Sequence, residues 1–492
     1  MCWNLRVTRE ASVVDDTRVP ARDTPRGLDV VAFAAVGLSV GLTILIGLLG
    51  PSTMVPGLAG PSWQPPYSFQ ARPDGHLVIA MAAVAIVLGG AGLAGALRSR
   101  WRPDPRWPLV AGCAAAVLLA FLPPSGSPDH LNYAAYGRLV TLGQNPYVTP
   151  PSALPADPVL GAVEEWTGVT SVYGPVATAV QALASFVGGD SVRLTVFVMA
   201  LVNAAAFVGT ALLIDRFTRG DADLRRRAAL LWAANPLMIY HLAAGMHVDT
   251  LAVACMVAAL TARGAASGLL LGVGIGVKLN AGLVALGPAW ELRRSPGRLA
   301  VVAGTATATV LVIYGLAGSH VFDQVGAASK KVSFGTPWYL VKVGLQELFG
   351  SGSYSAWTQT GSLLLMVVLA WLILRAAPRD TAPVVAAGIV VAWLFAATYA
   401  LPWYDGLAFA LLAMASWPAL EGFMIARVVV LSLGYLPARE AMRPEDLSWL
   451  KTVVRERAVP WSLLALTVAL AWWAARAGAR ARRRSASAAP RP

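Results

Sequence analysis

LDVVAFAAVGLSVGLTILIGLL, residues 28–49, is a continuous apolar run whose only ionisable group, Asp29, stands near its start. As a helix rising about 1.5 Å per residue, it matches the roughly 30 Å hydrocarbon core of a bilayer, which ~20 apolar residues span. Comparable runs recur at 77–97, 108–123, 191–215, 228–243, 248–262, 299–317, 358–375, 383–400, 405–420, 423–437 and 459–476. The run at 423–437 is the weakest, being short and holding Arg427. The chain is 57% hydrophobic and 13% charged, against about 25% charged residues in a water-soluble domain. The fold class is therefore all-α: a polytopic transmembrane bundle of about 12–14 membrane helices. No segment between the runs is long enough to form a separate soluble domain.

Charge orients the chain. The net charge of +13 comes from arginines in short blocks between apolar runs, the positive-inside pattern, which indicates a lipid bilayer rather than a nucleic acid as partner. The stretch from Arg98 to Arg106 is strongly basic and reads as cytoplasmic. The loop from 125 to about 172 is then outside, and there Asp129, Asp157, Glu164 and Glu165 outnumber Arg138. If the apolar stretch 174–188 crossed, the next span would carry Arg216, Arg219, Arg225, Arg226 and Arg227 outside, so 174–188 is expected as an interfacial helix within a first large outer loop, 125–190. By the same parity, 265–292 is expected to be two half-helices turning near Lys278-Leu279-Asn280, with Gly272, Gly274 and Gly276 allowing close packing.

The expected organisation is a disordered cytoplasmic leader at 1–26, two additional helices at 27–107, a core at 108–437, an outer loop and last span at 438–476, and a basic cytoplasmic tail at 477–492. Cys2, Cys113 and Cys255 form neither a disulfide frame nor a metal spacing. No acidic cluster of Mg²⁺ type stands near Asp129, so no cofactor and no metal are expected.

Ionisable groups against membrane spans mark function by default. Here they gather on one side: Asp129 and His130 opening the outer loop, His247 and Asp249 at an outer turn, Lys278 with Asn280 at the hairpin apex, and Trp403-Tyr404-Asp405 at another outer end. A carboxylate, histidines, a lysine and aromatics suit chemistry on a lipid-linked phosphate. Lysine would offset phosphate charge, and a carboxylate would take a proton from a hydroxyl. Each residue has a plainer reading too. Asp129 follows Gly126-Ser127-Pro128 and reads equally as a helix cap. His247 and Asp249 read as hydrated interfacial groups, Lys278 as a snorkelling cation, Trp403 and Tyr404 as aromatic-belt anchors, and Arg138 as a ligand of lipid phosphates.

The stretch Asp129-His130-Leu131-Asn132-Tyr133-Ala134-Ala135-Tyr136-Gly137-Arg138, followed by Gly143-Gln144-Asn145-Pro146-Tyr147, resembles the first outer loop of the polyprenol-phosphomannose-dependent α-1,6-mannosyltransferases of actinobacteria, within the GT-C superfamily. Tyr173-Gly174-Pro175 is similar to the end of that loop. Asn235-Pro236 and His247-Val248-Asp249 resemble the family's Asn-Pro element and its His-Asn-Asp-like outer turn, Gly276-Val277-Lys278 the superfamily's lysine hairpin, and Pro402-Trp403-Tyr404 a later element. The likeness runs from about residue 108 to 420. Val248 departs from the polar residue expected there, and His130 stands at a variable position.

The resemblance implies a GT-C-type bundle in the cell membrane with its site on the extracytoplasmic face. It implies sugar transfer, most simply of mannose, from a polyprenyl-phosphate donor to a glycan or glycolipid acceptor, with inversion at the anomeric carbon. Asp129 would be the catalytic base. His130, Tyr133, Arg138, Asn145 and Tyr173 from the outer loop would bind substrate, together with His247, Asp249, Lys278, Trp403 and Tyr404. Two alternatives stand beside it: a GT-C enzyme using another polyprenyl-phosphate sugar, and a transporter or flippase of lipid-linked sugars. A transporter would need polar groups along the interior at several depths, whereas here they lie mostly at one face.

Overall fold

A computed structural model describes residues 27–487; the leader at 1–26 and the end of the basic tail lie outside the described residues. Every named element among the described residues is helical. Seven helical segments are long and apolar enough to cross a membrane, and shorter or broken helices complete the bundle. The protein is a multi-pass membrane protein.

The chain shuttles between two ends. Helix α1 (Gly27–Leu49) and α2 (Gly75–Arg98) form an antiparallel pair, and the Asp74 carboxylate caps α2 by accepting from His76 and Leu77 backbone N–H groups. After α3 (Arg106–Ala120), helices α4 (Asp129–Thr141) and α5 (Pro175–Gly188) stay at one end. Helix α6 (Val192–Thr218) returns to the other, where Arg225 pairs with Asp215 and Arg226 donates to the Trp101 carbonyl. The arginines of 98–106 and 216–227 thus meet at a single basic end.

Helix α5 does not traverse the bundle. Gly174, just before it, donates to the Val277 carbonyl at 3.0 Å. Just beyond it, Ser191 and Arg193 bond to Ser62 and Gln64 in the loop joining α1 to α2. Both ends of α5 therefore lie at the end opposite the basic one.

The next passage is broken. Helix α7 (Ala222–Leu231) stops before Asn235, whose side-chain oxygen accepts from Leu237 and Met238 and restarts the chain as α8 (Pro236–Met238) and a π turn (Ile239–Ala244). A single run at 228–243 was the expectation; Asn235-Pro236 interrupts it, because proline has no N–H to continue the ladder. Helix α9 (Asp249–Thr261) descends and α10 (Gly264–Val277) climbs back beside it.

At Lys278 the chain leaves helical geometry, with φ −153° and ψ 120°, then turns down through a 3-10 segment (Leu279–Ala285) and α11 (Leu286–Glu291). Arg293 and Glu291 meet Asp380 and the Ala382 N–H at the basic end. The stretch 265–292 is thus a hairpin whose apex is Lys278. Gly268 and Gly272 press α10 against α12 (Pro296–Ala317), where a Cβ would collide with Val302 and Thr309, and at Gly276 a Cβ would collide with Val176 of α5. In lipid, where apolar burial drives little association, such close small-residue contact supplies dispersion energy.

Helices α13 (Val321–Ser329) and α14 (Pro337–Phe349) cover the site end, followed by α15 (Ser355–Arg375), α16 (Ala382–Ala396), α17 (Gly406–Met414), α18 (Pro418–Tyr435) and α19 (Val459–Ser487). Arg427 in α18 forms a fully buried ion pair with Asp405 and donates to the Leu394 carbonyl at 2.8 Å. That pair ties α18 to α16 and to the turn Pro402–Asp405, and accounts for a charge inside a short apolar helix.

Candidate active site

Several elements converge at the site end around a cavity of about 500 Å³. Asp129 reaches it from the first turn of α4. It is not a side-chain cap: Pro128 holds the cap position, and the Asp129 N–H donates to Ser127 Oγ at 3.2 Å. The plainer reading of Asp129 therefore loses its ground. Burial first, and then the Glu165 carboxylate, push the Asp129 carboxyl up to about 7, while Ser127 and the Lys278 ammonium pull it down.

His247 stands beside Asp129. Its Nδ1 is 3.2 Å from the Tyr133 hydroxyl and 3.7 Å from Asp129 Oδ2. Its ring stacks on Trp403 with centroids 3.6 Å apart. Burial lowers its pKa well below the usual value, so the imidazole is neutral and its approach to Asp129 is not an ion pair. Trp403 is 2% exposed, which excludes a headgroup anchor. Tyr133 in turn meets Tyr173 edge-on at 5.0 Å.

Lys278 occupies the opposite wall. Its ammonium contacts both Asp249 carboxylate oxygens, at 2.7 and 2.8 Å, and lies 4.0 Å over the Tyr404 ring. The hairpin break delivers it there: an unbroken helix through 278 would carry the chain onward instead of back. Asn280 lines the same wall.

Three residues lie apart. Arg138 turns away, bridging Asp157 and Asp190 at 2.8 and 2.5 Å. Asn145 stabilises its own turn by accepting from Tyr147 N–H. His130 is fully buried behind the cavity wall, and burial, then the Arg439 charge, lower its pKa to about 3. None of the three lines the cavity, and Tyr133, His247 and Asp249 stand a layer behind it, held against the lining residues Tyr173, Trp403 and Lys278.

Other lining residues were not expected at the site: Asn132 and Tyr136, although they stand in the stretch that carries the resemblance, and Trp166, Tyr399, Tyr435 and Arg439. Arg439 clasps Glu164 at 2.5 and 2.7 Å and fastens the loop after α18 to the loop after α4. A contact spanning so much sequence leaves no local pattern.

Residues 34–293 match the family model described as "Alpha-(1->6)-mannopyranosyltransferase, N-terminal domain". The chain belongs to this family. Over 174 residues it is 28% identical to alpha-(1->6)-mannopyranosyltransferase A of Corynebacterium glutamicum, covering 35% of this chain and 36% of that protein. With the protein of the same name from Mycobacterium tuberculosis it shares 30% over 213 residues, covering 41% of each. A probable alpha-(1->6)-mannopyranosyltransferase of Mycolicibacterium smegmatis matches at 24% over 373 residues, 64% of this chain and 66% of that one. The chain therefore aligns with about two fifths or less of the first two relatives' length. No solved structure matches. In this mannopyranosyltransferase-family chain, Asp129, His247 and Lys278 fall inside the matched segment, and the wall formed by Trp403, Tyr404 and Arg439 lies beyond it.

Proposed function

We propose that the protein transfers a mannosyl residue from a polyprenyl-phosphate donor to a hydroxyl of a glycan or glycolipid acceptor on the extracytoplasmic face of the membrane. The observation that carries this reading is the presence of the Asp129 carboxylate and the Lys278 ammonium on the wall of one cavity, with the His247 imidazole buried beside Asp129, 3.7 Å from its carboxylate. Family membership and the relatives' names support the sugar.

The chemistry is a direct displacement. The acceptor oxygen attacks the anomeric carbon and the bond from that carbon to the phosphate oxygen breaks. Asp129 takes the acceptor's proton, and polyprenyl phosphate leaves with the electron pair, so the configuration inverts. A carboxyl near pKa 7 is well matched to accepting a proton at neutral pH. Lys278 stabilises the departing phosphate as a compact cation. His247, with Asp249 holding Lys278, shapes the donor side.

The basic end faces the cytoplasm by the positive-inside rule, which sets the cavity outside, where nucleotide sugars are absent and a lipid-linked sugar serves as donor. Incubating the purified full-length protein in lipid nanodiscs with a panel of radiolabelled polyprenyl-phosphate hexoses and membrane acceptors tests the reading. Mannose transfer with release of polyprenyl phosphate is expected; transfer from none of the panel would overturn it.

A further inference from the structure

At the cavity mouth Trp166 adopts φ 62°, the left-handed region, which a bulky side chain rarely enters. The surrounding contacts impose that conformation. The Asn132 amide donates to the Glu165 carbonyl at 3.0 Å, the Glu440 N–H to the Glu165 carboxylate at 3.1 Å, and the Val169 N–H to the Trp166 carbonyl at 2.9 Å. Glu164, one residue further back, is held by Arg439. The loop is thus pinned on both sides of Trp166 while the indole itself stays 49% exposed. Strain held in place by surrounding contacts clusters at ligand sites, and the indole lines the cavity together with Glu165 and Glu440. A headgroup anchor would face lipid instead.

The cavity has two unlike halves. Lys278, Leu279 and Trp393 lie against the membrane-spanning helices, where a lipid-borne donor arrives. Trp166, Glu165 and Glu440 sit on loops outside the spans, and Lys331 reaches over the Trp166 ring at 5.2 Å from the far side of the mouth. Glu165 and Glu440 are offset by Lys331 and Arg455, and Arg439 by Glu164, so the mouth favours a ligand rich in hydroxyls and without net charge. A flat aromatic flanked by hydrogen-bonding groups of both kinds suits the apolar face of a pyranose and its hydroxyls.

We propose that Trp166, Glu165 and Lys331 form an acceptor subsite, in which a neutral pyranose of the glycan stacks on the indole, its hydroxyls donating to Glu165 and accepting from Lys331. This rests on the transferase reading, and it commits the acceptor to an uncharged glycan chain.

Equilibrium binding of a short α-(1→6)-linked manno-oligosaccharide to the full-length protein in nanodiscs is the test, by titration calorimetry beside a parallel titration with polyprenyl phosphate. Trp166→Ala is expected to weaken oligosaccharide binding about tenfold or more, and Trp166→Phe far less. Polyprenyl phosphate should bind both variants as it binds the wild type. In transfer assays Trp166→Ala should raise the acceptor KM and leave the donor KM unchanged. Oligosaccharide binding that survives Trp166→Ala, that is absent from the wild type, or that is lost together with polyprenyl-phosphate binding would overturn the proposal. Asp129→Asn separates the two readings: it should still bind the oligosaccharide while failing to transfer, and full transfer by this variant would overturn the base role without touching the subsite.

Discussion

The ammonium of Lys278 meets both oxygens of Asp249, at 2.7 and 2.8 Å, across a gap closed only because α10 breaks and turns at Lys278. The two residues come from the start of α9 and the end of α10, so the pair also locks the antiparallel arrangement of those helices. The cation is neutralised in the resting protein and remains within the cavity, over the Tyr404 ring. A phosphate entering the site would find a cation already desolvated and oriented.

Lys278→Met keeps most of the unbranched apolar stem of the side chain and removes its charge. The expected result is a donor KM raised about tenfold and a kcat lowered by a similar factor, with acceptor KM unchanged, as loss of one charge-assisted phosphate contact implies. Steady-state kinetics with each substrate varied in turn measures it. Equal effects on both substrates would point to a collapsed hairpin instead.

The raised Asp129 carboxyl sets a pH dependence. Below about 7 it is protonated and cannot act as base, so kcat/KM should rise with pH and level off above that value. Stability runs the other way. The folded-state value lies above the usual 3.8, so this group's contribution is fully present at low pH and is lost as pH rises through about 7. The thermal midpoint of the wild type should therefore fall between about pH 4 and 7 relative to Asp129→Asn, whose side chain does not titrate, and run parallel to it above that range. Curves for the two proteins that stay parallel throughout would contradict the assignment.

Arg427 and Asp405 are buried together, 2% and 0% exposed. Arg427→Met strands a carboxylate in the bundle, a loss of about 3–5 kcal/mol for a broken buried pair. Replacing Asp405 with Leu in the same chain should restore much of the thermal midpoint. Because Asp405 ends the turn that carries Trp403 and Tyr404, the single variant should lose activity along with stability. Unfolding measured in nanodiscs, for the single and double variants, decides it.

Much of this architecture was legible because membrane physics is simple. Arginine blocks at 98–106 and 216–227 forced α5 to remain at one end, and the same parity required a hairpin at Lys278. Asp129, His247, Asp249, Lys278, Trp403 and Tyr404 could be grouped because topology sends their loops to one face. Depth and direction were not legible. Trp403 looks like a belt residue until its stack on His247 is seen, and Arg138 looks like a phosphate ligand until Asp157 and Asp190 are found to occupy it. The mouth formed by Glu165, Trp166 and Arg439 depends on loops separated by 275 positions, and no periodicity connects them.

Sidedness can be read with cysteine reporters. Gln144 and Ala222 are both exposed, at opposite ends of the bundle. In whole cells, a membrane-impermeant thiol reagent should label Gln144→Cys and spare Ala222→Cys until the membrane is opened. The reverse pattern would place the cavity in the cytoplasm and remove the need for a lipid-linked donor.

In the proposed reaction the Asp129 carboxylate accepts the acceptor's proton. The most direct measurement is single-turnover transfer from radiolabelled polyprenyl-phosphate mannose by Asp129→Asn in nanodiscs at pH 8. The expected rate is lowered by about 10²–10⁴, the usual worth of a general base, with binding of donor and acceptor intact and no loss of thermal stability. Transfer within a few-fold of the wild-type rate would contradict it.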